Sequence, residues 1–79
     1  MTNQEKYKQI FCELFQITED RLGKLNYQDI PAWDSVGHMS LIAALEEAFD
    51  IMMDTDDIID FSSFEKGMEI LSANYNIVF

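Results

Sequence analysis

Asp34, Ser35 and His38 are the residues whose types and spacing could do chemistry in this chain. A carboxylate, a hydroxyl and an imidazole are the parts of a hydrolase triad, and here they crowd one short stretch, Asp34-Ser35-Val36-Gly37-His38. Three neighbours on one helical turn do not line up as nucleophile, base and orienter, and no strand-to-helix elbow precedes Ser35. Catalysis is therefore not expected. What Ser35 does offer is a hydroxyl where a long loop meets a helix N-terminus. Such an end leaves backbone N–H groups unpaired and carries partial positive charge, so a phosphodiester on Ser35 would sit beside donors. Asp34 suits the N-cap position, and its charge favours approach by a basic modifying enzyme. Asp-Ser is also a common way to begin a helix, so the dipeptide alone leaves an ordinary cap open beside a modification site.

The other chemistry-bearing residues promise less. Asp54, Asp56, Asp57 and Asp60 hint at calcium, but a loop beginning at Asp54 would need an oxygen ligand and then a glycine where Ile58 and Ile59 stand. No metal site is expected. Cys12 is the single cysteine, so it forms no internal disulfide and no ligand pattern. It reads as a small helix-packing residue.

Four helical stretches position these groups. The first opens at Thr2, with Glu5 completing a capping box, and carries Tyr7, Ile10, Phe11 and Leu14 on a core face to about Phe15. Residues 16–33 form a long connection, with Ile17, Leu22, Leu25 and Ile30 as plugs into the core; loops of this length are often functional. The second helix runs from Asp34-Ser35 to Phe49. Val36, Leu41, Ile42, Leu45 and Phe49 fit its inward stripe, and Met39, Ala43, Glu46 and Glu47 lie nearer the outside. Met52 and Met53 follow, both expected to be partly exposed. A short third turn spans Asp56 to Asp60. Ser62 and Glu65 suggest a second capping box for a last helix whose Phe64, Met68 and Leu71 face inward. With three Gly, one Pro and weak strand signals, the expected fold is all-α: one domain, 1–79, built as a four-helix bundle with a long first loop and a short third helix.

Charge narrows the partners. Fifteen acids against five bases give a net charge of −10, which disfavours nucleic acid and anionic membrane surfaces and attracts basic patches on proteins. From Asp34 to Asp60 there are eight acids and no Lys or Arg. No apolar run approaches the length of a membrane span, and the N-terminal stretch lacks the layout of a secretion signal. The cytoplasm is the expected compartment.

Residues 32–50, AWDSVGHMSLIAALEEAFD, resemble the phosphopantetheine-attachment region of acyl carrier proteins. The shared elements are Asp34-Ser35, the branched Val36, Leu41-Ile42 in the middle of an amphipathic helix, and the closing Leu45-Glu46-Glu47-Ala48-Phe49. More loosely, the resemblance extends over nearly the whole chain, through Phe49-Asp50-Ile51 to Phe61-Ser62-Ser63-Phe64. It implies a non-catalytic, monomeric carrier on which a phosphopantetheinyl transferase uses coenzyme A to place a 4'-phosphopantetheine arm on Ser35, with Asp34 as motif residue and helix cap. The arm would hold an acyl or aminoacyl group as a thioester for a loading enzyme and downstream transferases, in lipid or polyketide biosynthesis. By the same resemblance, Glu46, Glu47, Asp56 and Asp57 would meet basic residues of those enzymes, and Val36, Met39 and Ala43 would make apolar contacts. Trp33 and His38 would either pack or touch the arm or a partner, with core capping expected of Trp33 and a partly exposed helix position of His38. Gly37 and Ser40 stand where fatty-acid-synthesis carriers usually show acids, and Trp33 replaces a small residue. These departures resemble a stand-alone carrier of a specialised pathway. Gly37 should cost its helix about 1 kcal/mol relative to Ala unless something must approach closely there. The reading from a different class is a cofactor-free acidic helical adaptor that binds a basic partner; a calcium-responsive helical protein is a third.

Overall fold

A computed structural model describes residues 1–79. It contains four α-helices: α1 (Asn3–Phe15), α2 (Ser35–Phe49), α3 (Thr55–Asp60) and α4 (Phe64–Tyr75), with a single 3-10 turn at Glu19–Arg21 in the first connection. There is no strand, only an isolated antiparallel bridge between Asn26 and Ser63.

Local chemistry sets the helix ends. Thr2 Oγ1 accepts from the Glu5 N–H at 3.1 Å and Glu5 Oε1 accepts from the Thr2 N–H at 3.0 Å, the reciprocal box expected for α1. The Thr2 backbone N–H, and then its hydroxyl, hold the Glu5 carboxyl below the usual carboxylate range. Helices α1, α2 and α4 all stop on a left-handed residue, Gln16, Asp50 and Asn76, at positions where glycine is commonest. The C-terminal end of α2 has no basic residue of its own. Lys6 of α1 supplies one, donating to the Ala48 carbonyl at 3.3 Å with its ammonium 5.2 Å from the Phe49 ring centroid.

The core gathers Tyr7, Phe11 and Phe15 from α1, Leu41, Ile42 and Leu45 from α2, and Phe64, Ile70 and Leu71 from α4. Leu22, Leu25 and Trp33 enter it from the first connection, and Ile17 and Ile30 pack against it. Buried Tyr7 donates its hydroxyl to the Phe64 carbonyl at 2.7 Å, and burial pushes its phenol pKa up, so it stays a donor. On α4, Gly67 is buried where a Cβ would overlap both the Phe61 ring and the Tyr7 hydroxyl, so the packing of those two side chains against α4 requires a glycine there.

Four expectations need correction. Leu14 is 37% exposed, and Phe15 takes the buried position, because the inward row of α1 advances by fours through Tyr7, Phe11 and Phe15. Val36 is 73% exposed rather than inward: it lies on the first turn of α2, ahead of the buried Leu41, Ile42 and Leu45. The cap of α4 is Ser63, not Ser62. Ser63 Oγ accepts from the Lys66 N–H at 2.9 Å, whereas the Ser62 carbonyl is taken by the Tyr27 N–H at 2.8 Å, and Lys66 in the third helical position has no acceptor to complete a box. Met52 is exposed, but Met53 is buried.

Candidate functional site

The first connection is tied to the start of α2 by a short series of turns. The Gln28 N–H donates to the Trp33 carbonyl and the Trp33 N–H to the Ile30 carbonyl, at 3.0 and 3.1 Å. The Trp33 side chain is fully buried, edge-on to Phe11 and stacked on Phe15, with ring centroids at 5.5 and 5.3 Å. Buried Trp33 fixes where Asp34 and Ser35 must emerge. Asp34 then caps α2, its Oδ1 accepting from the Gly37 N–H at 2.8 Å.

Gly37 is where something does approach closely. A Cβ there would overlap the Ala32 carbonyl oxygen and lie 3.1 Å from the carbonyl carbon. Gly37→Ala should therefore lower stability by about 1–2 kcal/mol, overpacking outweighing the gain in helix propensity. A urea midpoint equal to or above the parent's would show that the loop yields without cost.

Ser35 is exposed, and it lines a cavity of about 340 Å³ that is open on one side. His38 and Met39 of α2, Ile58 and Ile59 of α3, and Phe61 just beyond form most of its wall. Tyr27 and Ser62 complete it, so its polar groups are few. The hydroxyl thus stands at the N-terminal end of a fifteen-residue helix and beside an apolar cleft. A phosphodiester there would be met by unpaired helix amides, and an apolar extension would have surface to lie on, so the residues present fit a phosphopantetheine arm.

His38 is a bridge between two elements. Its Nδ1 accepts from the Trp33 indole N–H at 2.9 Å, and its Nε2 lies 2.8 Å from the Ile58 carbonyl oxygen. Because the indole can only donate and the carbonyl only accept, this geometry makes Nδ1 the acceptor and Nε2 the donor. Both nitrogens are engaged with Trp33 and Ile58, and Asp34 Oδ1 accepts from the Gly37 N–H, so no hydrogen bond joins Asp34, Ser35 and His38 to one another. Half-buried His38 is also packed between Tyr27 and Phe61, at 5.3 and 6.0 Å between centroids.

The remaining residues singled out by sequence divide into free and engaged groups. Met39 and Val36 are exposed by 53 and 73%. Ala43, Glu47 and Asp56 are exposed as well. Glu46 is half-buried and accepts from the Met53 N–H at 2.9 Å, pinning the chain as it leaves α2. Asp57 is half-buried too, accepting from the Tyr75 hydroxyl at 2.7 Å and the Asn74 amide at 3.0 Å, which fastens α3 to α4. Burial raises the Tyr75 pKa, so its hydroxyl remains a donor while itself accepting from the Asp54 N–H at 2.7 Å. Tyr75 and the His38 bridge were not foreseen from sequence. Asp57 lies eighteen residues from Tyr75 and Ile58 twenty from His38, and only tertiary structure reveals those contacts.

Charge stays largely unneutralised. The one ion pair is exposed Lys66–Glu69 at 3.8 Å, leaving the stretch from α2 through α3 purely anionic. A second, polar cavity lies between Asp54–Asp57 and Ala73-Asn74. No three His, Cys, Asp or Glu side chains are grouped to hold a metal ion. No helix is long and apolar enough to cross a membrane. Comparisons with protein-family models, curated proteins and solved structures return no match to this chain.

Proposed function

We propose that this chain is a carrier protein of the acyl-carrier type, holding its cargo on a 4'-phosphopantetheine arm attached to Ser35. The observation that carries the proposal is the exposed Ser35 hydroxyl at the start of α2 on the rim of an apolar cleft. The order of elements supports it: a long first connection, a central helix opened by Asp34-Ser35, and a third helix of six residues, as the resemblance of residues 32–50 implies. The arm supplies the thiol chemistry, carrying an acyl or aminoacyl group as a thioester. Asp34 holds the first turn of α2 so that Ser35 faces outward, and tethering raises the effective concentration of the cargo at each enzyme visited. The chain itself performs no catalysis.

Partners are a phosphopantetheinyl transferase, a loading enzyme and downstream transferases. Glu47 and Asp56 would meet their basic residues, and Val36, Met39 and Ala43 would make the apolar contacts. Glu46 and Asp57 contribute charge to that surface while keeping their internal hydrogen bonds. Exposed charges are screened beyond about 10 Å at 0.1 M salt and about 3 Å at 1 M, so the transferase should load this chain with a KM that rises with salt. Glu47→Lys together with Asp56→Lys should raise KM at low salt and flatten that dependence. A salt-independent KM would remove these residues from the docking surface.

The direct test is intact-mass measurement after incubation with coenzyme A and a broad-specificity phosphopantetheinyl transferase. One added phosphopantetheinyl group is the expected result; no gain would reject the proposal. The cofactor-free adaptor draws on the anionic half alone. It requires charge reversal at Glu46 and Glu47 to abolish partner binding and Ser35→Ala to leave function intact, whereas a carrier is impaired by the first change and loses function under the second.

A further inference from the structure

The cleft beside Ser35 ends at a layer of rings. His38 and Phe61 form its inner wall. Behind His38 lies Trp33, stacked at 6.2 Å, and behind Phe61 lies Phe11, stacked at 6.4 Å. Trp33, Phe11 and Phe61 are at most 1% exposed, and none of the aliphatic core residues Leu41, Leu45 and Leu71 lines a cavity. The cleft therefore does not continue between the helices. Its inner wall is held by two hydrogen bonds as well as packing, because His38 is fixed at once to Trp33 and to the Ile58 carbonyl of α3. Parting α2 from α3 at this point would break the bond to Ile58 and leave two half-buried polar groups without that partner.

We infer that His38 is a specificity-determining residue: with Trp33 and Phe61 behind it, it closes the core to whatever hangs from Ser35. The cargo class is then a compact apolar acyl group, of butanoyl size or below, and not a long fatty chain. This inference rests on the carrier reading. Part of the 340 Å³ must take atoms of the arm itself, which leaves room for a small group only. No Lys or Arg lines the cleft, so a carboxylate on the cargo would find no fixed counter-charge there.

The test loads Ser35 from acetyl-, butanoyl-, hexanoyl- and decanoyl-coenzyme A with the same transferase, confirms loading by intact mass, and follows melting temperature and thioester cleavage by hydroxylamine. Each methylene newly buried in the folded chain would raise the melting temperature by roughly 3–6 °C. The rise is expected between acetyl and butanoyl, then a level value from hexanoyl to decanoyl. Hydroxylamine should cleave the decanoyl and acetyl thioesters at rates within about twofold of each other, since neither is withdrawn from solvent. His38→Ala should let the rise continue to longer chains; Phe61→Leu is the second variant, leaving the histidine bridge in place. In the unaltered chain, a melting temperature still climbing at decanoyl, or decanoyl cleavage slowed by roughly tenfold or more, would overturn the inference, with no variant needed. Absence of any loading would instead remove the carrier reading, and this inference with it.

Discussion

Ser35→Ala will take up no phosphopantetheinyl group under conditions that load the parent chain completely, and it will still fold. The loss is total because no second serine has the same setting. Ser62 and Ser63 precede α4, where Ser63 Oγ is occupied as the cap, Ser40 and Ser72 lie within α2 and α4, and Thr55, which opens α3 after Asp54, lines a polar cavity and not the apolar cleft. Stability should change by no more than about 0.5 kcal/mol, the usual range for an exposed substitution away from structural features. The cap of α2 belongs to Asp34 and not to Ser35, so truncating the serine leaves the helix start intact. Intact mass reads the first outcome and a urea titration the second. A Ser35→Ala chain that unfolds would mean the hydroxyl has a structural task, and one that is still loaded would place the anchor elsewhere.

Trp33→Ala should have the largest effect on stability. The indole is fully buried against Phe11, Phe15 and Tyr27, and truncating a buried aromatic typically costs about 3–5 kcal/mol. Domains of this kind hold roughly 5–15 kcal/mol in all, so a large share of the folding free energy disappears. The substitution also strips His38 Nδ1 of its donor, loosening the bridge from α2 to α3 beside Ser35. Trp33→Phe separates the two contributions. It retains a ring against Phe11 and Phe15 but lacks the N–H, and should cost about 1–3 kcal/mol for the unpaired imidazole nitrogen. Denaturation followed by helical circular dichroism checks both values. A Trp33→Ala loss below that of Trp33→Phe would contradict the packing described.

Much of the fold was legible because its signals are local. The Thr2–Glu5 box, the Asp34 cap and the close of α2 at Phe49 each depend on residues within one or two turns. The short α3 also fell where the sequence put it, one residue longer at Thr55. Adjacent alternatives were harder. Leu14 against Phe15, and Ser62 against Ser63, are decided by which neighbour faces the other helices, and periodicity near a helix end does not distinguish them. Gly37 could be marked as a place of close approach, but Ala32 as the approaching group needed the fold of the loop.

At the candidate site, sequence singled out Ser35 and missed the framework around it. Ser35 could be named because Asp34-Ser35 opens α2, and Met39 because helical spacing leaves it outside; Val36 was named as a contact only through the resemblance, since the same spacing put it inward. The task of Glu46 could not be read, since an acid on an outer face looks the same whether it meets solvent or the Met53 N–H. Asp57 hides its tie to Tyr75 in the same way, across eighteen residues. Histidine at position 38 carries no mark in sequence of its double hydrogen bond, because that bond depends on Trp33 being buried and α3 being folded against α2.

The central claim is tested most directly on protein taken from the cell that makes it, by intact mass followed by fragmentation to locate any added group. The expected result is a phosphopantetheinyl group on Ser35, free or bearing a small acyl or aminoacyl cargo. Protein whose Ser35 is unmodified in every molecule recovered would contradict the account.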